Sequence, residues 1–386
     1  MKQNIIRIVT ILFLSISSQL MLAQADGEAL EIGTYRKLHS EVLNKDRLLL
    51  VQLPDDYEST DKEYPVIIKL FGTHPEYFAH INSTLDMLSS RGLIPPAIFI
   101  GVDQHGHGEV IPPMVPSTQY PHEGDKFLRF VKNELIPFID ENYRTNKFRI
   151  LMGSFDCGLF GLYSLVNEPE LFNVYLINSP DRYGGSSQFL ENIEGVIDSL
   201  DLINRFLNIS YGAFEPEAIR QSTQKLIEYF EQKTPKGLLF STNYLENPDH
   251  DGLTPYIYCK GSMLNIFHGY TCPAEIAAKG LDSLESYYNR YSEKLGYQIE
   301  IPVRTLDHSG NSLLGAGRLD EAEEVFKKMI QEYPNSIEGY FRMADLTRFL
   351  ERYKESAAYY QKCLDFNPNI DIARIRKKQV EDLINR

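Results

Sequence analysis

The sequence lacks a basic patch, a cysteine framework and any phosphate-cradling glycine motif, and each absence removes a class of function. With 53 acidic against 39 basic side chains the formal net charge is −14, and no stripe of Lys and Arg stands out to displace counterions from a polyanion. Nucleic-acid partners are therefore not expected. The four cysteines, Cys157, Cys259, Cys272 and Cys363, are too few and too scattered for a disulfide scaffold, and none forms a C-x-x-C pair. Cys259 with Cys272 is the one pairing their spacing leaves open. There is no Walker motif, no G-x-G-x-x-G and no histidine-rich ligand set, so no nucleotide, flavin or metal cofactor is expected. No long stretch is biased enough in composition to stay unfolded.

What is present is an ordinary globular composition, 43% apolar and 24% charged, in a chain of 386 residues. That length exceeds what a single core usually holds and suggests one large domain with a smaller one. Residues 1–25 carry Lys2 and Arg7, an apolar run from Ile8 to Leu14, and Ala23-Gln24-Ala25, which read together as a secretory leader cut after Ala25. Ser15, Ser17, Ser18 and Gln19 interrupt the apolar stretch before it reaches the roughly 20 residues that a membrane span needs. An exported protein is expected, periplasmic or secreted, with no membrane span after cleavage.

From residue 48 onward short apolar runs alternate with amphipathic stretches. Leu48–Leu53, Val66–Phe71 and Ala97–Val102 read as buried strands, with a helix over 81–91 between the last two. Asp125–Asn142 reads as an amphipathic helix, followed by a strand over Phe148–Met152, a helix near 158–166 and a strand over Val174–Ile177. Leu207–Tyr211 and Leu238–Phe240 complete seven or eight strands. This rhythm predicts an α/β domain, a mainly parallel sheet covered on both faces, over residues 26–273.

Past residue 300 the chain repeats itself with a period of 34. Val303–Ser336 aligns with Ile337–Ile370, matching Gly310 with Ala344, Phe326 with Tyr360 and Pro334 with Pro368. That period, with small and aromatic residues in these places, is the tetratricopeptide pattern. An all-α tail of two repeats is predicted over 303–386, resting on a connecting helix, Ala274–Leu295, within the segment 274–302, and on a last helix from Asp371.

The sharpest chemical signal lies at Ile150-Leu151-Met152-Gly153-Ser154-Phe155-Asp156-Cys157-Gly158. A strand that delivers a nucleophile at a tight turn into a helix needs small residues two before and two after it, the G-x-S-x-G arrangement. With Gly153 and Cys157 as the small flanks, the central residue is Phe155. Further segments share a pattern: Glu63-Tyr64-Pro65-Val66, Glu134-Leu135-Ile136-Pro137, Tyr143-Arg144-Thr145 and Pro169-Glu170-Leu171-Phe172. Over most of residues 35–273 the chain resembles the esterase family of α/β hydrolases that includes siderophore, feruloyl and S-formylglutathione esterases. The resemblance implies an α/β-hydrolase fold and carboxylic-ester hydrolysis. It places the nucleophile at Phe155, the base at His250 in Asn247-Pro248-Asp249-His250-Asp251, and the acid at Glu215, with Glu217 as the alternative. The oxyanion region falls on Phe71, Gly72 and Asp156, where Phe71-Gly72 stands for the Asp-Gly common in the family.

A phenyl ring has no lone pair with which to attack a carbonyl. Ser154 could serve only in a shifted elbow, with Met152 and Asp156 at the positions that should be small. Cys157 lies in the first helical turn, and Asp156 suits a helix N-terminus. His105 and His107 on Asp103–Gly108 are too sparse for a metal site. Three functions remain open. The chain is a non-catalytic or altered hydrolase that binds an ester-like ligand in its cleft, an active ester hydrolase using Ser154, His250 and Glu215, or an inert scaffold whose tetratricopeptide repeats hold a protein or peptide partner.

Overall fold

Strands buried on both faces must be apolar at nearly every position, and the central strands obey this. The computed structural model describes residues 31–115, 120–181, 185–197, 199–246 and 254–385. The expected leader and His250 lie outside them. Within β3 (Tyr64–Leu70), β4 (Ile98–Val102) and β6 (Val174–Asn178) every residue is buried. With β1 (Thr34–Ser40), β2 (Lys45–Gln52), β5 (Thr145–Ser154), β7 (Arg205–Gly212) and β8 (Leu238–Leu245) they form one eight-stranded sheet in the order β1-β2-β4-β3-β5-β6-β7-β8. β2 runs antiparallel to both β1 and β4, and all other pairs are parallel. β1 was not expected from the sequence, because Thr-Tyr-Arg-Lys-Leu-His-Ser is almost wholly exposed and has no apolar face to betray it.

From β3 the chain steps to β4 on one side and then crosses to β5 on the other. Connections that leave in opposite directions open a crevice at the carboxyl ends of the strands, which is where open α/β sheets bind ligands. Phe71-Gly72 after β3, Gln104 after β4 and Phe155 after β5 all lie at that end.

Alternation along the strands assigns each residue to a face. Val66, Ile68, Leu70, Leu151, Tyr175, Ile177, Leu207 and Ile209 join one core with Phe127, Phe130, Phe160 and Leu226. Those partners come from α2 (Gly124–Phe130), α4 (Asp156–Asn167) and α6 (Glu217–Gln232), while α5 (Gly185–Ile197) supplies Phe189 and Ile193. The expected helix over 125–142 is one path with a π turn, Val131–Leu135, between α2 and α3 (Ile136–Asn142). Pro137 lacks the N–H that an unbroken α-helix would use there, and a shift to i→i−5 bonding, seen in Ile136 N–H to Val131 O, absorbs the fault. The opposite face packs on α1 (Pro75–Ser90), where Phe78 stacks on Phe99, and on α7 (Thr254–Ile266).

Lys69 is an exception in that apolar sheet. It is buried, and its ammonium donates to the Leu70 carbonyl at 3.0 Å. Burial is the main influence on it and lowers its pKa, opposed by the Cys157 and Cys259 thiols. All four cysteines are free and buried, so the Cys259–Cys272 pairing does not form.

The described chain divides into two compact units, 31–270 with 295–297, and 271–294 with 298–385. In the second, the expected single helix over 274–295 is instead α8 (Ala274–Ala277) and α9 (Leu281–Leu295). Gly280 separates them at φ +109°, a conformation that excludes continuous helix. The repeats are α10 (Val303–Gly315) with α11 (Leu319–Glu332), then α12 (Ile337–Phe349) with α13 (Tyr353–Phe366), closed by α14 (Asp371–Ile384). Gly310 is small by necessity, since a Cβ there would lie 2.2 Å from the Phe326 ring. The equivalent pair in the second repeat is Ala344 and Tyr360, both fully buried. Ser309 donates to the Ala277 carbonyl at 2.6 Å and Tyr288 meets Thr305 at 3.1 Å, so the repeats rest on the 271–294 segment of their own unit. Among the described residues no helix is long and apolar enough to cross a membrane.

A buried lysine whose pKa is lowered binds its proton less tightly folded than unfolded, so it weakens the fold once pH drops below the usual 10.5. Lys69→Met is expected to stabilise the protein by on the order of 1 kcal/mol at pH 7. Thermal unfolding should show that gain shrinking toward pH 10.5; a loss of stability at every pH would contradict it.

Candidate active site

The turn from β5 into α4 is built from steric necessity. Phe155 sits at its apex with φ 53° and ψ −121°, a combination that side chains other than glycine adopt at a cost of about 1–3 kcal/mol. Its N–H donates to Asn178 O at 3.0 Å, and its carbonyl accepts from Leu159 N–H at 2.9 Å. A Cβ on Gly153 would fall 2.3 Å from the Cys157 carbonyl oxygen. Residue 153 must therefore be a glycine where the chain folds back on Cys157, and Phe155 lies between the two.

The residues around Phe155 face different ways. Ser154 is the last residue of β5, paired in register with Asn178. It shares a face with Met152, and the Tyr258 phenol on α7 lies against it. Ser154 is therefore directed into the layer between sheet and α7. Asp156, the first residue of α4, is buried. Cys157 turns the other way, and its thiol donates to Gln104 Oε1 at 3.5 Å.

Glu215 lies in the loop after β7 and is buried, accepting from Ser179 Oγ at 2.6 Å. Ser179 follows β6 at φ 43°. Glu217 is exposed at the start of α6 and accepts from Gln221 at 2.8 Å. The two carboxylates left open by the sequence thus have distinct settings, Glu215 inside and Glu217 at the surface. Beside the oxyanion region, Phe71 stands at φ 55° and is 57% exposed. The Gly72 N–H is committed to Val102 O at 3.0 Å. Gly72 and Gly101 cross so closely that a Cβ on Gly101 would meet Gly72 O at 2.1 Å.

Sequence reasoning missed the clamp on the loop after β4. Arg47, fully buried on β2, makes a two-pronged contact with Glu109, Nη1 to Oε2 at 3.0 Å and Nη2 to Oε1 at 2.7 Å. Lys45 adds a 2.5 Å contact, and Glu109 also accepts from the His105 backbone N–H at 3.0 Å. The guanidinium lies 5.6 and 5.7 Å from the Phe127 and Phe130 ring centres. The His105 ring meets Asp103 at 2.9 Å; the His107 side chain is outside the described residues. The loop carrying Gln104 is thereby fixed against Cys157. Arg47 immediately before the apolar run Leu48-Leu49-Leu50-Val51 of β2 was the available signal. Among the described residues no group of three or more His, Cys, Asp or Glu could hold a metal ion.

Burial would raise the Glu109 pKa, but Arg47, Lys45 and the His105 amide outweigh it and bring it down to about 2 from the ordinary 4.5. A depressed carboxylate contributes stability above its unfolded value and loses it as pH falls through its folded value, here between 4.5 and 2. At about 1.4 kcal/mol per unit the contribution is roughly 3 kcal/mol. Glu109→Gln is expected to cost about that much in urea unfolding at pH 7, with the gap to the parent narrowing as pH approaches 2. A constant gap over that window would refute the assignment.

Comparison with known proteins agrees with this architecture. Residues 40–184 match the family model described as "Putative esterase", and residues 337–370 match a tetratricopeptide repeat. The uncharacterized protein YjcH of Bacillus subtilis is 31% identical over 151 residues, 38% of this chain and 60% of that protein. The ferri-bacillibactin esterase BesA of the same organism is 27% identical over 115 residues, 29% of this chain and 40% of that protein. Both matches span less than two thirds of the relative's length. An IroE-like serine hydrolase from Shewanella oneidensis superposes with a TM-score of 0.65 at 20% identity, covering 78% of this chain and 99% of its own. The fold is that of an α/β hydrolase, residues 40–184 are similar to the esterase family model, and a helical repeat region follows.

Proposed function

We propose that this esterase-family α/β hydrolase is exported and does not hydrolyse esters by the family's serine route, its cleft serving instead to bind an ester-like ligand. The carrying observation is Phe155 at the apex of the β5–α4 turn, φ 53° and ψ −121°. In a nucleophile elbow that residue presents its side chain to the cleft, and here it presents a ring without an attacking atom. The rest of the triad logic has support in part. Glu215 is buried at the expected point after β7, and His250 keeps the sequence context of a late-loop base. Export rests on the character of residues 1–25 alone.

The reading in which Ser154 acts as nucleophile is disfavoured by its place on the α7 side of the sheet, paired with Asn178 and beside Tyr258. A second role is favoured by the repeats. Phe349 and Phe366, on α12 and α13, are 54% and 43% exposed, and apolar rings on repeat helices suit a peptide or protein partner.

Phe155→Ser should create hydrolysis of p-nitrophenyl acetate at least about 100-fold above the unaltered protein, and Ser154→Ala should leave both rates unchanged. Turnover by the unaltered protein that disappears in Ser154→Ala would overturn the proposal. For the repeats, replacing both Phe349 and Phe366 by Glu should abolish binding of any partner identified for this protein, and binding at full affinity would contradict the role.

A further inference from the structure

The two edges of the sheet differ in chemistry. β1 carries Arg36, Lys37 and His39, and the last two meet Asp46 of β2. Charges of this kind keep an edge strand from pairing with another chain. β8, Leu238-Leu239-Phe240-Ser241-Thr242-Asn243-Tyr244-Leu245, has neither a charge nor a proline, and it pairs with β7 without a shift of register. Among the described residues no strand lies beyond it. Leu239 and Tyr244 on it are 43% and 54% exposed.

One hydrogen bond sets the backbone direction of that edge. The Leu245 carbonyl accepts from Ala213 N–H, just past β7, at 2.9 Å, so Leu245 turns its backbone groups toward β7. Alternation turns Leu239, Ser241 and Asn243 the same way, and Phe240, Thr242 and Tyr244 outward. A second copy of the strand, brought alongside by a two-fold axis normal to the sheet, runs antiparallel and keeps each side chain on its own face. Centred on Thr242, this pairing sets Phe240 against Tyr244 of the second copy and Thr242 against itself, with Leu239 against Leu245 of the second copy on the other face. Aromatic pairs and Thr–Thr pairs are among the contacts that stabilise an antiparallel ladder. The same axis carries Glu246, exposed at one end of β8, to the end where Lys236 of the second copy is exposed. In a chain of net charge −14, an uncharged strand with opposite charges at its two ends is suited to meeting its own copy.

We propose that β8 is a homodimer interface, through which two copies of the chain pair antiparallel, centred on Thr242, and continue one sheet across both. Phe240 is already seated, its ring centre 5.4 Å from that of Phe230 on α6, and the Tyr244 ring lies 5.1 Å from Tyr211. Pairing therefore adds contacts to a preset edge. The interface stands on the strand edge alone, so it holds whether or not the cleft hydrolyses esters.

Sedimentation equilibrium of the purified protein should give twice the mass of a single chain. Thr242→Pro removes an outward N–H and no bond to β7, a change that edge strands tolerate, and Tyr244→Lys puts a charge on an exposed position. Each variant should sediment as a single chain with the circular dichroism of the parent. Thr242→Cys tests the register, since the four native cysteines are buried. Residues opposed in such a pair have Cα atoms about 5.5 Å apart, within disulfide reach, so oxidation should link two chains at residue 242. Tyr244→Cys, roughly 14 Å along the strand from its own counterpart, should stay unlinked. A parent of single-chain mass, a dimer that persists in both Thr242→Pro and Tyr244→Lys, or equal crosslinking at the two cysteine positions would overturn the proposal.

Discussion

The close approach of Gly153 to the Cys157 carbonyl is the constraint on which the rest of the candidate site depends. It leaves no room for a side chain at residue 153, and the chain passes from β5 to α4 through Phe155 at φ 53°. An enzyme keeps such a turn because it lifts one side chain clear of the sheet. Here the turn is retained, at a cost of about 1–3 kcal/mol, around a residue with no reactive oxygen. The strained geometry and the unreactive ring are one observation.

The end of β5, the turn and the start of α4 direct three neighbouring side chains to different sides. Ser154 belongs to the α7 side, Phe155 to the apex, and Cys157 to the side of Gln104 and the β4 loop. Ser154 owes its side to the pleat of β5, since one residue of shift exchanges the faces of a whole strand, while Phe155 and Cys157 owe theirs to the turn and to the first turn of α4. The wall opposite the turn is fixed by a different force. Arg47 and Glu109 are both buried, and a charged pair survives there because each satisfies the other and the Phe127 and Phe130 rings pack against the guanidinium.

Much of this was legible in the sequence, and the failures have physical reasons. Apolar runs located β2 to β7 because those strands are largely buried, Leu238-Leu239-Phe240 marked the edge strand β8 although only Leu238 is buried there, and the period of 34 located the repeat helices, whose starts fall at 303, 319, 337 and 353. β1 escaped because an exposed edge strand is defined by its partner's hydrogen bonds, not by its own side chains. The π turn at Val131–Leu135 escaped because apolar spacing barely changes when one bond shifts from i−4 to i−5. The break at Gly280 was visible as a glycine but outweighed by the amphipathic pattern on either side. At the site, Gly153, Phe155 and Glu215 could be named from spacing and resemblance. The Arg47–Glu109 clamp joins residues 62 apart, so the sequence marks Arg47 beside an apolar run without naming its partner.

The central claim is that no side chain at the turn is an activated serine. Incubating the purified protein with a fluorophosphonate, which phosphonylates activated serine hydroxyls, and reading the intact mass tests this directly. The account predicts an unchanged mass for the parent and one added phosphonyl group for Phe155→Ser. A parent protein that gains one phosphonyl group, mapped to Ser154, would contradict it.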